Sequence, residues 1–127
     1  MPHFNVQMFE EALDGSVEAT IIRALTDAVV RVYGERARPL VVVELIGIPR
    51  RRWGLGGVPA EANLPIVTLN MREPALNMPT IDDAPAQLIA SITDGMVEVF
   101  GEHIRKHVNV LVVGIPRGRS GVGGDVV

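Results

Sequence analysis

The order of apolar and polar residues predicts four strands. Residues 4–8 alternate apolar and polar side chains, a period of two that is typical of a strand with one buried face, and residues 66–71 repeat the pattern. Residues 40–48 and 108–115 are nearly continuous apolar runs rich in Val and Ile. Such runs are typical of strands that are covered on both faces in a parallel pair.

Between the two strands of each half, apolar residues recur at helical spacing. The first stripe runs from Val17 to Val32 and follows Ser16, a candidate N-cap. Asp83 stands in front of the second stripe. Gly34 and Gly101 follow the two stripes and predict the helix ends, because glycine readily takes the positive φ found there. Each half is therefore predicted to be a strand–helix–strand unit.

The two halves are also related in sequence. Residues 33–57 and 100–124 are identical at thirteen of twenty-five aligned positions, whereas ordinary residue frequencies would give about two. Pro2 aligns with Pro65 at a spacing four residues shorter, so the second half has gained four residues after its first strand. This indicates an internal duplication.

The duplication predicts an α+β fold. We expect one domain, residues 1–127, built of two βαβ repeats at about 2–62 and 65–127, because a chain of 127 residues buries a single core. The repeats would form a four-stranded sheet with both helices on one face. The other sheet face would be apolar, which predicts burial in a homo-oligomer.

Composition excludes several classes of function. A net charge of −3 argues against binding to nucleic acid or to a membrane surface, since phosphate-driven binding needs a clustered excess of cations. The chain has no cysteine, the start lacks the pattern of a secretory signal, and no segment is apolar for long enough to span a membrane. We expect a cytoplasmic protein.

Neither a phosphate loop nor a metal site is predicted. GLGG at 54–57 and GVGG at 121–124 lack the context of a phosphate loop, and tight turns or edge hairpins are the better interpretation. His3, His103 and His107 do not form a set of ligands with metal spacing. We therefore expect neither a phosphate-binding loop nor a metal site.

Three features together resemble a known family. They are the Met-Pro start, the βαβ unit of about sixty residues, and Trp53 followed by GLGG. In this order, within a duplicated unit, they resemble the tautomerase superfamily, specifically a fused two-repeat relative of 4-oxalocrotonate tautomerase. The resemblance implies an isomerase that works without a cofactor, a small enol or keto acid substrate, a catalytic amino-terminal proline and assembly as a trimer.

Pro2 is the predicted catalytic residue. If Met1 is removed, Pro2 carries a free secondary amine, and an apolar pocket or neighbouring guanidinium groups would lower the pKa of such an amine from near 8 towards neutrality. That suits general acid–base catalysis. A retained Met1 would turn the same nitrogen into an amide, and Pro65 is an amide in any case, so we expect one site per chain. The alternative is that Pro2 merely begins a strand.

The substrate-binding residues are less clearly indicated. Arg72, at the end of the second repeat's first strand, is placed like an arginine of the related chloroacrylate dehalogenases and would hold a carboxylate across the repeat interface. Trp53 matches the family's pocket-wall aromatic, and Arg52 precedes it. Asn109 stands where the family carries an arginine on the long strand. Simple strand-end solvation of Arg72 and interface packing of Trp53 are the alternatives.

The chain departs from the family pattern at the usual carboxylate clamps. Ala12, approximately Ala75, Val42 and Asn109 stand where the resemblance would place arginines. The water-activating carboxylate of the dehalogenases is replaced by Leu55 and Val122. The function that the resemblance and Pro2 together imply is enol–keto proton transfer on a small carboxylate-bearing substrate. A non-catalytic oligomeric scaffold or small-molecule-binding protein, or a decarboxylase or hydratase of the same superfamily, is the alternative.

Overall fold

The computed structural model describes residues 2–127, and Met1 lies outside the described residues. The first repeat contains two long strands, one helix and a short hairpin: β1 His3–Phe9, α1 Glu18–Tyr33, β2 Val42–Ile48, β3 Gly54–Leu55 and β4 Val58–Pro59. The second repeat follows the same order with one additional short helix: β5 Ile66–Arg72, α2 Glu73–Leu76, α3 Ala84–Phe100, β6 Asn109–Ile115, β7 Gly121–Val122 and β8 Asp125–Val126. The fold is α+β, as predicted.

The four long strands form one sheet in the order β2-β1-β5-β6. Within each repeat the two strands are parallel, and the repeats meet where β1 pairs with β5 in antiparallel orientation, with His3 opposite Asn70. The two repeats are therefore related by an approximate twofold axis through the centre of the sheet, which explains why one strand pattern occurs twice.

The core lies between the sheet and the two long helices. One face of β1 and β5 is buried against apolar residues of α1 and α3. The largest buried side chains are Phe4, Met8 and Leu69 on the strands and Ile21, Leu25, Leu88, Ile92 and Met96 on the helices. Each such side chain contributes about 1.5–3 kcal/mol when it is removed from water. Across the helices, Ser91 Oγ donates to the Ala28 carbonyl at 2.8 Å. Both helices thus cover one face of the sheet.

The opposite face of the sheet, which we call the open face, is uncovered in the single chain. Its outer strands carry apolar side chains that are 39–53% exposed, at Val42, Ile46, Leu111 and Val113. The apolar runs of 40–48 and 108–115 are therefore strands as predicted, but only one of their faces is covered by this chain.

The structure corrects one helix boundary and agrees with the others. Ser16 does not cap α1, because its Oγ donates to Asp14 at 2.6 Å and the N-cap position falls on Val17. Asp83 does cap α3, accepting from the Ala86 N–H at 3.2 Å. Gly34 ends α1 with a φ of +91°. The correction at Ser16 arises because a nearby carboxylate competes for the serine hydroxyl.

A short 3-10 helix follows each long helix, and the sequence pattern did not predict either of them. They span Glu35–Leu40 and Glu102–His107. In each, an arginine bonds a glutamate three residues earlier and an aspartate of the preceding helix, Arg38 in the first repeat and Arg105 in the second. These ion pairs hold the chain as it turns from helix to strand.

Candidate active site

A proline directly precedes the first strand of each repeat, and the two prolines lie at opposite ends of the sheet because β1 and β5 are antiparallel. The Pro2 carbonyl accepts a hydrogen bond from the Val42 N–H at 2.9 Å, and the Pro65 carbonyl accepts one from the Asn109 N–H at 2.9 Å. We call these two edges the Pro2 end and the Pro65 end. Pro2 itself is buried.

A cavity of about 260 Å³ opens at the Pro2 end, on the open face. The sheet contributes His3, Asn70 and Arg72 to its lining, and the C-terminal hairpin contributes Ser120 and Val122. We call it the Pro2-end cavity, because His3 directly follows Pro2 in β1. Its polar groups come from both repeats, so it is built across the repeat interface.

Arg72 is the cationic group of this cavity. It is the last residue of β5, and its side chain is exposed. Among residues 2–127 no carboxylate forms a salt bridge with it, whereas Arg38, Arg50 and Arg105 are each paired with one or two carboxylates. An unpaired guanidinium in a cleft is suited to bind a carboxylate ligand through two parallel hydrogen bonds.

A network of polar side chains extends from the cavity across the open face. The Nε2 atom of His3 hydrogen-bonds Glu44 Oε1 on the neighbouring strand β2. Asn5 Nδ2 donates to the same carboxylate oxygen at 3.3 Å, and Asn70 Nδ2 donates to Asn5 Oδ1 at 3.3 Å. The side chains meet because positions in register on neighbouring strands point to the same face.

The Pro65 end is filled by an aromatic and cationic cluster instead of a polar cavity. The Trp53 and Phe9 rings are 5.7 Å apart at an interplanar angle of 86°, an edge-to-face contact. The Arg50 guanidinium lies 4.7 Å from the centre of the Phe9 ring and donates to Glu11 at 2.8 Å. That hydrogen bond lowers the pKa of Glu11. This cluster anchors the β3–β4 hairpin to the end of β1.

The difference between the ends follows from two substitutions between the repeats. The position of Phe9 in β1 is taken by Arg72 in β5, and that of Trp53 by Ser120. An aromatic pair at one end therefore becomes an arginine and a serine at the other, and a packed contact becomes a polar cleft.

Within one chain, the predicted site residues fall at the two different ends. Arg72 lies at the Pro2 end, whereas Trp53, Arg52 and Asn109 lie at the Pro65 end. The reason is topological. Each hairpin follows the carboxyl end of its repeat's second strand, which is parallel to the first, so it lies far from the proline of its own repeat. Ser120 of the second repeat is the residue that accompanies Pro2.

His3, Asn70 and Ser120 are cavity residues that sequence reasoning did not select. From the sequence, His3 is considered only as a metal ligand, although its place on the polar face of β1 indicates a side chain that points away from the core. Glu44 has no acidic counterpart in the second repeat, where Leu111 stands, and this asymmetry in the sequence indicates either a second acid–base group or a paired strand carboxylate. The antiparallel register of β1 and β5, which brings Asn70 beside His3, has no local signature.

A metal site and a membrane-spanning helix each place requirements on the described residues. Within residues 2–127, no three histidine, cysteine, aspartate or glutamate side chains are grouped so that they could hold a metal ion. In the same part of the chain, none of the helices combines the length and the apolar character that crossing a membrane requires.

Solved structures of known proteins share the fold over nearly the whole chain. A fused 4-OT described as a wild-type asymmetric trimer has a TM-score of 0.82 and 22% identity, covering 98% of this chain and 94% of that one. A fused 4-OT symmetric trimer gives 0.79 and 21%, with the same coverage. A member of the cis-3-chloroacrylic acid dehalogenase family gives 0.78 and 21%, covering 98% of this chain and 82% of that one.

The sequence comparisons point to the same family. No curated protein sequence matches the chain. The family model "Tautomerase enzyme" matches residues 2–63, which is the first repeat. The second repeat is a diverged copy of the first, with thirteen of twenty-five aligned residues identical in their closing segments. The first repeat therefore belongs to the tautomerase family, and the whole chain shares the fold of the fused 4-OT structures, with two βαβ repeats in one polypeptide.

Proposed function

We propose that this protein is a cofactor-independent tautomerase that moves a proton between oxygen and carbon of a small enol or keto acid, with Pro2 as the general acid–base group. The observation that carries the proposal is the coincidence of three features at one end of the sheet. These are the strand-initial Pro2, a polar cavity beginning at the next residue, and the unpaired guanidinium of Arg72 in that cavity.

The chemistry needs a basic nitrogen and a fixed substrate. After removal of Met1, the Pro2 nitrogen would be a secondary amine in a largely buried position, and burial disfavours the protonated form of an amine. Arg72 would hold the substrate carboxylate, which orients the neighbouring enol towards the start of β1. In ketonisation the hydroxyl oxygen loses a proton, the double bond shifts to form the carbonyl, and the α or vinylogous carbon gains a proton.

Assembly belongs to the same proposal. The structural relatives named above are described as trimers of fused 4-OT. We propose that this chain also forms a trimer, in which the apolar side chains of the open face are covered by neighbouring copies. In such an assembly, Trp53, Arg52 and Asn109 of one chain would be free to meet the Pro2 end of another. We expect the assembly in the cytoplasm.

The direct test is the ketonisation rate of 2-hydroxymuconate and phenylenolpyruvate, followed by ultraviolet absorbance, with protein shown by mass spectrometry to lack Met1. We expect Pro2→Ala to lower kcat/KM by more than about tenfold, equivalent to about 1.4 kcal/mol of barrier. Pro65→Ala is the matched control, because Pro65 begins the equivalent strand but its nitrogen is an amide. It should retain the activity of the parent protein.

Equal rates for the parent and the Pro2→Ala protein would show that the proline mechanism is wrong. The second candidate function, a non-catalytic scaffold or small-molecule-binding protein, is favoured by the absence of arginines at Ala12 and Val42. Complete lack of ketonisation by the Met1-free protein, together with saturable binding of a keto acid measured by calorimetry, would support that candidate.

A further inference from the structure

We propose that His3 is a second acid–base residue of the Pro2-end cavity and that Glu44 is the residue that positions it. This rests on the proposed tautomerase function and divides its proton transfers between two groups. His3 would accept the hydroxyl proton of the enol, and the ammonium form of Pro2 would deliver a proton to carbon.

The first support is the position of His3. It lines the cavity together with Arg72, and Pro2 is its neighbour in the chain. A carboxylate held by Arg72 would therefore share the cavity with the His3 ring. The cavity volume of about 260 Å³ accommodates a small acid. The His3 side chain is 42% exposed, which leaves its ring accessible to a ligand in the cavity.

The second support is the state of the imidazole ring. Nε2 hydrogen-bonds the Glu44 carboxylate, and no residue among 2–127 hydrogen-bonds Nδ1. A ring that donates from Nε2 to a carboxylate carries its free lone pair on Nδ1, because neutral imidazole has one protonated nitrogen. The carboxylate also stabilises the imidazolium that forms when Nδ1 takes a proton, as in other histidine–carboxylate pairs.

The third support is how Glu44 is itself held. Asn5 donates to Glu44 Oε1 at 3.3 Å, and Asn70 donates both to Asn5 and, at 3.4 Å, to the His3 carbonyl. A carboxylate with two side-chain partners has a restricted rotamer and directs the ring that it binds. The second repeat has Ile66 and Leu111 at the positions of His3 and Glu44, so the pair exists only at the Pro2 end.

The proton balance of the step is complete without another reactant. The enol O–H bond breaks and the lone pair of His3 Nδ1 forms an N–H bond with the released proton. The O–H electron pair becomes the π bond of C=O, and the π electrons of the C=C bond form the new C–H bond. The proton for that C–H bond comes from the Pro2 ammonium, which becomes the neutral amine. Solvent then carries one proton from His3 back to Pro2.

The test uses Met1-free protein and phenylenolpyruvate. We expect His3→Gln to lower kcat by about 100-fold, within the range typical of a lost acid–base group, while KM changes less than about threefold. Glu44→Gln should lower kcat by about tenfold, also with little change in KM. His103→Gln is the matched control, because His103 is an exposed histidine of the 3-10 helix Glu102–His107 outside the proposed site, and it should leave both constants unchanged.

A purely structural role is tested by chemical rescue. The His3→Ala protein should regain at least about tenfold in rate when imidazole is added, because free imidazole can enter the vacated space and accept the proton. Failure of imidazole to restore this protein would overturn the proposal. A parent rate in His3→Gln, measured while Pro2→Ala is inactive, would also overturn the proposal. That result would leave the proposed tautomerase function intact. Parent rates in both Pro2→Ala and His3→Gln would refute the proposed role of Pro2 as well.

Discussion

At the scale of single residues, the exchange of Phe9 for Arg72 between the repeats decides which end of the sheet can bind a polar ligand. Phe9 is fully packed, with the Trp53 ring in edge-to-face contact and the Arg50 guanidinium 4.7 Å from the centre of the Phe9 ring. Arg72 at the equivalent position of β5 projects into the Pro2-end cavity. An ion-binding group therefore exists at one end of a nearly symmetric sheet.

We expect Arg72→Gln to raise KM for phenylenolpyruvate by about tenfold or more, since a hydrogen bond to a charged group contributes about 1.5–3 kcal/mol and the amide retains no charge. Steady-state kinetics on the Met1-free protein measures it. Arg23→Gln is the control, because Arg23 lies on α1, away from the open face. An unchanged KM in Arg72→Gln would remove this residue from the substrate site.

At the scale of elements, the passage from each long helix to its following strand is held by the same three charged groups in both repeats. Arg38 bonds Glu35 and Asp27 at 2.8 Å each, and Arg105 bonds Glu102 at 2.6 Å and Asp94 at 2.9 Å. These hydrogen bonds lower the pKa of Glu35 and of Glu102 below the ordinary value of 4.5. All of these groups are solvent-exposed, so each ion pair stabilises the fold only modestly.

Because the pKa values of Glu35 and Glu102 are lowered in the folded state, their ion pairs stabilise the fold fully when the pH is above the ordinary pKa of 4.5. This stabilisation is lost as the pH falls through the lowered pKa values. We expect the double variant Arg38→Gln/Arg105→Gln to lose less stability than the parent protein between about pH 5 and about pH 3. Urea unfolding at a series of pH values measures this. Arg36→Gln should keep the parent slope, and an identical slope in the double variant would contradict the assignment.

At the scale of the whole molecule, the open face is the largest feature that the single chain leaves unsatisfied. Apolar side chains of β2 and β6 flank the polar network of His3, Asn5 and Asn70, and Leu111 at the outer edge is 53% exposed. Exposed apolar side chains on an uncovered sheet face are typical of an interface. The trimeric state proposed above would cover it.

We expect Leu111→Asp to shift the protein from trimer to monomer in sedimentation velocity, because a carboxylate buried in an interface must be desolvated without a partner. Ile89→Asp is the matched control. Ile89 is similarly apolar and 43% exposed, but it lies on α3, on the other side of the molecule. A trimer that survives Leu111→Asp would place the interface elsewhere.

The sequence by itself determined the local elements and their duplication. The alternation in residues 4–8, the helical stripes and the glycine at 34 are short-range patterns, and an α+β fold of two βαβ units follows from them because parallel strands need a crossover helix. Pro2 and Arg72 were predicted as site residues from the resemblance and from their positions at the strand ends, and these roles stay predictions. The prediction that Ser16 is the N-cap of α1 was wrong, because the sequence pattern does not show that the Ser16 hydroxyl donates its hydrogen bond to Asp14.

Only the tertiary structure decided which parts of the two repeats meet. The antiparallel register of β1 and β5 places Asn70 beside His3, and the parallel register of β1 and β2 places Glu44 there as well. The same registers separate Trp53 from Pro2 and bring Ser120 to the Pro2-end cavity instead. Contacts between residues 40 to 120 positions apart depend on strand pairing, which is set by the packing of the whole core and leaves no local signal in the chain.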